Sequence, residues 1–192
     1  MLVENQQYIH YNKGSVLMYA LKDYIGEDSL NAALRGFLEE NAFQEAPYTN
    51  SLAFVECLRK ATPDSLKYII TDMFETITLY ENKVTSFASK KQDDGSYKVK
   101  INIEAQKLRA DSVGNETEIK INDWIDIGVF DREKKTLYLQ KHHITAKQME
   151  IEVTVKGKPF ECGIDPFNKL VDRHPDDNNQ DQAKQYINTM SK

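Results

Sequence analysis

The sequence predicts an α+β protein in two domains: an all-α helical array over residues 1–82, an antiparallel β-sandwich over 83–166, and a polar tail over 167–192. Two observations carry that prediction. Apolar residues recur at helical spacing as far as about Tyr80, and from about Lys83 they alternate with polar ones, so the period changes from about 3.6 to 2. Turn-forming residues then punctuate the second half about every ten residues, the rhythm of short strands in a sandwich.

In the first half Leu17, Ala20, Leu21 and Tyr24 form the first helical stripe, and Gly26 stands where a left-handed cap would end it. A second helix starts near Asp28 or Ser29, with Leu30, Ala33, Leu34, Phe37 and Leu38 on one face. Asn41 to Thr49 contains Pro47 and reads as a loop, and Leu52, Val55 and Leu58 open a third, shorter helix. Thr62-Pro63-Asp64 supplies an N-cap, a proline at the first helical position and an acid at the positive dipole end. Leu66, Ile69, Ile70, Met73, Phe74 and Ile77 complete the fourth helix, which runs from Thr62 to Tyr80.

In the second half Tyr97, Val99, Ile101, Ile103 and Ala105 alternate with Lys98, Lys100, Asn102 and Glu104 after an Asp93-Asp94-Gly95 turn. The other expected strands are Val84 to Ser89, Thr117 to Ile121, Trp124 to Phe130, Thr136 to Lys141, Met149 to Val155 and Phe160 to Ile164. Seven short strands favour a sandwich of immunoglobulin-like architecture, although the Cys…Trp…Cys pattern of antibody domains is missing. After Asp165-Pro166 a polar tail follows that cannot bury enough apolar surface to offset its ordering entropy, and it is expected to be partly disordered.

Composition narrows the function classes. Apolar content of 40% and charged content of 29% exclude general disorder. The net charge of -5, with lysines scattered among acids, offers nucleic acid no footprint, so no nucleic-acid partner is expected. The apolar runs fall far short of the ~20 residues of a membrane helix, so no membrane-spanning segment is expected in this chain. Cys57 and Cys162 form neither a CxxC nor a disulfide framework; buried free thiols are expected, with a bridge between the two halves as the alternative. The first residues carry no signal peptide and read like a cut made inside a longer protein.

Little in the chain is self-contained chemistry. None of His10, His142, His143 and His174 begins an H-E-x-x-H, and the adjacent pair His142 and His143 would point to opposite faces of a strand. His174 lies among Asp172, Asp176 and Asp177, a group read as a solvated acidic tail and not as a cation site. No serine sits in a G-x-S-x-G elbow, and no Gly-rich phosphate loop is present. No metal site is expected within this chain.

Tyr11 is the exception. Tyr11-Asn12-Lys13-Gly14-Ser15, ahead of an apolar helix ending in Asp23-Tyr24-Ile25-Gly26-Glu27, resembles the Tyr-x-Lys-Gly segment of the aminopeptidase N family of zinc metallopeptidases (gluzincins). Leu34 to Leu38, Pro47-Tyr48-Thr49 and the helix from Thr62 look like the end of such a catalytic domain. Asn122 to Phe130 and Gly163 to Arg173 look like the carboxy-terminal part of bacterial membrane proteins that fuse permease-like segments to an aminopeptidase domain.

The resemblance implies that Tyr11 is a catalytic tyrosine donating to the oxygen of the scissile carbonyl, with Lys13 and Gly14 supporting the motif structurally. It implies zinc in the parent protein and none bound by this fragment. The family's H-E-x-x-H and glutamate ligand would lie upstream of Met1, so the fragment is expected to be inactive alone. The implied partners are an upstream catalytic domain of the same polypeptide and a peptide substrate, in a membrane-anchored parent with this part outside the cytoplasm. The alternative is a non-catalytic binding or scaffolding module of a membrane transporter-like protein. A carbohydrate-binding sandwich has little support, because Trp124 is the sole tryptophan and its alternating neighbours imply burial.

Overall fold

The computed structural model describes residues 8–181. It is an α+β chain that divides between Thr78 and Leu79 into two compact units.

The first unit holds α1 (Gly14–Ile25), α2 (Glu27–Asn41), α3 (Ser51–Ala61) and the short α4 (Lys67–Ile70). Gly26 takes a φ of +88° and its N–H donates to the Lys22 carbonyl, closing α1 in a conformation that a side chain resists. The next helix follows at once, because Glu27 and Asp28 suit the positive end of its dipole. Asn50 caps α3 by accepting from the N–H groups of Leu52 and Ala53 at 3.0 and 3.2 Å. Leu17, Ala20, Leu21, Leu30, Leu58, Ile69, Ile70 and Met73 are the buried residues around which these helices pack, and Phe37 meets Phe54 edge to face at 5.2 Å.

The helix expected from Thr62 to Tyr80 is much shorter. Proline holds the residue before it extended. Thr62 is accordingly at φ -92° and ψ 128° and ends α3, its hydroxyl donating back to the Leu58 carbonyl, and Pro63 precedes a 3-10 turn at Asp64–Leu66. After α4 the backbone widens into a π-helical turn, Thr71–Glu75, and Thr76 is already extended. Ile77, assigned above to the helical stripe, instead opens a strand and is 45% exposed, while Thr78 and Tyr80 point inward. Two β-branched threonines flanking Ile77 favour that outcome.

The second unit is built from β1 (Ile77–Lys91), β2 (Tyr97–Ala110), β3 (Glu116–Ile119), β4 (Asp123–Phe130), β5 (Thr136–Ile144), β6 (Gln148–Val155), β7 (Glu161–Ile164) and β8 (Asn179–Asp181). One sheet runs β1-β2-β3 with β6 also paired to β2, and the other runs β5-β4-β7-β8. β2 pairs antiparallel with β3 and β6, β4 with β5 and β7, and β7 with β8, Ile101 opposing Ile151 and Ile127 opposing Ile164. Val99, Ile101, Ile103, Ile125, Ile127, Val129, Ile151, Val153 and Ile164, drawn from both sheets, belong to one buried core. Each such side chain contributes about 1.5–3 kcal/mol on leaving water. Cys57 and Cys162 are free thiols, and burial, then the neighbouring Glu161, drives the Cys162 thiol above its ordinary range.

Two expectations are corrected here. Residues 167–181 are not a loose tail: Lys169, Leu170, Asn178 and Gln180 are buried, and β8 pairs with β7. The Lys169 ammonium buries here because it meets the Asp126 carboxylate, a counter-charge that composition does not reveal. The rest of the expected tail, 182–192, lies outside the described residues. Trp124 faces away from the core at 40% exposure and stacks on His143, which sits opposite it on β5.

Candidate functional site

Tyr11 lies in a π-helical turn, Tyr8–Lys13, that runs directly into α1. Wide turns of this kind occur mostly as single insertions, frequently at functional sites. The Tyr11 side chain is 73% exposed, and along α1 Ser15, Val16 and Tyr19 are also exposed, whereas Leu17, Ala20 and Leu21 are buried. The sequence dictates that split, since the buried residues fall at i, i+3 and i+4. The first unit therefore exposes two phenols, Tyr11 and Tyr19.

The other motif residues play supporting parts. Lys13 is half-buried, and desolvation holds its amine below the ordinary lysine range. Gly14 is the first residue of α1, and the Ser15 hydroxyl donates to the Asn12 carbonyl at 3.0 Å, closing the turn. A phenol at a helix entrance can donate one hydrogen bond to an oxygen that gains negative charge. Among the described residues, no three side chains of His, Cys, Asp or Glu converge as a metal site. The described residues therefore do not fit a zinc ion.

The histidines are apart. His142 Nε2 is 2.7 Å from the Tyr138 hydroxyl, and burial holds its imidazole below the ordinary range. His143 is on the Trp124 side, with Nε2 at 3.0 Å from Asn122 Oδ1. His174 is exposed, its N–H donating to Asp172. His10 falls on a residue whose side chain is not described.

Sequence reasoning missed two buried ionic groups in the second unit. Lys107 and Asp123 continue the inward alternation of β2 and β4 and pair at 2.8 Å, with 6% and 5% of their side chains exposed. The Tyr80 hydroxyl donates to the same carboxylate at 2.8 Å, and the Lys107 ammonium sits 5.6 Å from the Tyr80 ring centre. The second group joins Asp126 of β4 to Lys169 at 2.7 Å and to Lys141 of β5 at 3.1 Å. The one signal in the sequence is the placing of Asp123 and Asp126 inside an apolar strand. Their partners lie 15 to 43 residues away and could not be read from spacing.

The chain matches no family model, and no curated protein matches it. Among the described residues no helix is long and apolar enough to cross a membrane.

Proposed function

We propose that this chain is the carboxy-terminal portion of a zinc-dependent aminopeptidase-like protein, in which Tyr11 stabilises the transition state of peptide-bond hydrolysis. In this reading the first unit ends the catalytic domain and the second is an immunoglobulin-like sandwich attached to it. The observation that carries the reading is the Tyr11-Asn12-Lys13-Gly14 string placed at a helix entrance with its phenol exposed. Zinc, which would be held by residues other than those described, would supply the activated water of such a reaction.

The contribution of the chain itself is a single donor. As water adds to the carbonyl carbon, charge accumulates on the oxygen, and a phenol held at that place binds the transition state better than the substrate. The burial of Leu17 and Leu21 anchors α1, the helix that follows the turn carrying the phenol.

Two experiments test the reading. The coding sequence upstream of Met1 should encode an H-E-x-x-H followed by a glutamate; an eroded motif would remove the catalytic proposal. In the longer protein, Tyr11→Phe should lower kcat by roughly 100- to 1000-fold with KM little changed. Unchanged turnover would refute the assigned role.

A second reading has its own observation. Leu38, Phe43, Tyr48 and Leu52, at the turn end of the α2–α3 hairpin, are 63%, 103%, 77% and 76% exposed. Four large apolar side chains so exposed favour a surface that binds another protein. A non-catalytic scaffolding module of a membrane transporter-like protein would use such a surface and leave Tyr11 without chemistry.

A further inference from the structure

Residues 165–170 cross the outward side of the second sheet as a strap. Pro166 lies over Gly128 of β4 and Gly163 of β7: a Cβ added to either glycine would come within 3.0 and 2.9 Å of the proline ring. Phe167 packs edge to face on Phe130 at 5.9 Å, and at the far end Leu170 enters the core. Asp165 ties the strap down. Its N–H donates to the Asp126 carbonyl at 2.8 Å, and its carboxyl oxygens accept from the N–H groups of Lys169 and Leu170 at 3.0 and 2.8 Å.

Under this cover lie an amine and a carboxyl in direct contact. Lys169 Nζ is 2.7 Å from Asp126 Oδ2, and 5% and 6% of the two side chains are exposed. The Phe167 ring centre stands 5.8 Å from the same nitrogen. Lys141 Nζ approaches the Asp126 carboxylate from β5, at 3.1 and 3.3 Å from its two oxygens. One carboxylate therefore meets two ammonium groups, one of them shut off from water.

That arrangement favours chemistry between the pair. Taking two charges out of water carries a desolvation cost that their attraction offsets only in part, and a neutral amide in their place removes both charges from the site. Groups held in contact by the fold react as if at an effective concentration of roughly 10⁵–10⁸ M. A site closed to water also lacks the reagent that would hydrolyse the product.

We propose that Lys169 and Asp126 condense into an isopeptide bond that staples the strap to β4. The inference stands apart from the peptidase reading. The Lys169 ammonium gives one proton to the Asp126 carboxylate along their 2.7 Å contact, leaving an amine and a carboxylic acid. The nitrogen lone pair attacks the carboxyl carbon and forms the C–N bond, while the Lys141 ammonium stabilises the charge that develops on a carboxyl oxygen. The bond from carbon to the hydroxyl then breaks, and the hydroxyl takes a proton from the nitrogen and leaves as water. One ammonium and one carboxylate become one amide and one water, with no oxidant, reductant or co-reactant. Lys107 and Asp123 are the internal comparison. They are as well buried, but the second partner of Asp123 is the neutral Tyr80 phenol and not another ammonium, so that pair stays ionic.

Mass spectrometry of the purified full chain, unfolded before measurement, tests this. The intact mass should fall short of the sequence mass by one water. Trypsin should release a branched peptide joining residues 121–132 to residues 157–173, uncut after Lys169. Lys169→Arg should have its full mass, and Lys141→Met should condense roughly 100-fold more slowly, seen as a persisting full-mass species. A full-mass wild type, a lost water without the branched peptide, or a branch carried by Lys107 or Lys141 would overturn the proposal. The wild-type mass and digest decide it even where Lys169→Arg fails to fold.

Discussion

Lys107 and Asp123 show how a single residue can be costly to change. Each is nearly excluded from water, and each satisfies the other at 2.8 Å. Lys107→Met leaves a carboxylate buried with only the Tyr80 hydroxyl for company, so we expect a loss of about 3–5 kcal/mol. Removing both charges by adding Asp123→Leu should restore most of it, because the desolvation of each charge also disappears. Urea unfolding of the single and double variants checks both; a single variant as stable as wild type would show that the buried pair has no such weight. The glycines obey a comparable constraint. A Cβ on Gly163 would collide with the side chain of Asn179 and with Pro166, so that position is glycine because of what crosses it, not because of its own φ.

At the scale of elements, helix ends decided more than helix interiors. Asn50 satisfies two N–H groups that α3 leaves without intrahelical partners. Asn50→Ala should therefore cost about 1 kcal/mol, and Asn50→Asp should retain most of the stability. Thermal melting followed at 222 nm measures both; an Asn50→Ala melt identical to wild type would refute the cap's contribution. The strands carry a similar lesson about ends. Asp94 accepts from the N–H and hydroxyl of Ser96, and Gly95 sits at a φ of +84°, so the β1–β2 turn is specified by its own residues. The place where β1 begins is not specified in that way. Ile77 suits a helical stripe as well as a strand, and the early part of β1 is held by a segment distant in sequence, Tyr80 donating to the Val171 carbonyl and accepting from the Arg173 N–H.

At the scale of the whole molecule, the described residues form a hydrophobic core in each compact unit. Units with separate cores need not unfold together. The sole tryptophan, Trp124, belongs to the second unit, whereas the α-helices belong to the first, so two optical signals report on the two units separately. Tryptophan fluorescence and helical circular dichroism should give denaturation curves with different midpoints. Superimposable curves would show that the two units behave as one cooperative body.

The amino-acid sequence by itself determined the division of the chain into a helical and a strand half, because hydrophobic period is a local property written in neighbouring residues. It also placed Tyr11 at a helix entrance, since the apolar spacing of α1 can be counted from Leu17 onward. Only the tertiary structure decided that residues 165–181 pack and that Trp124 faces outward. It alone brought Asp126 together with Lys141, Lys169 and the Asp165 strap. Alternation puts Asp126 on the outward side of β4, where a carboxylate would ordinarily meet water. It is buried because a strap roughly 40 residues further along the chain covers it, and such long-range closure leaves no periodic trace in sequence.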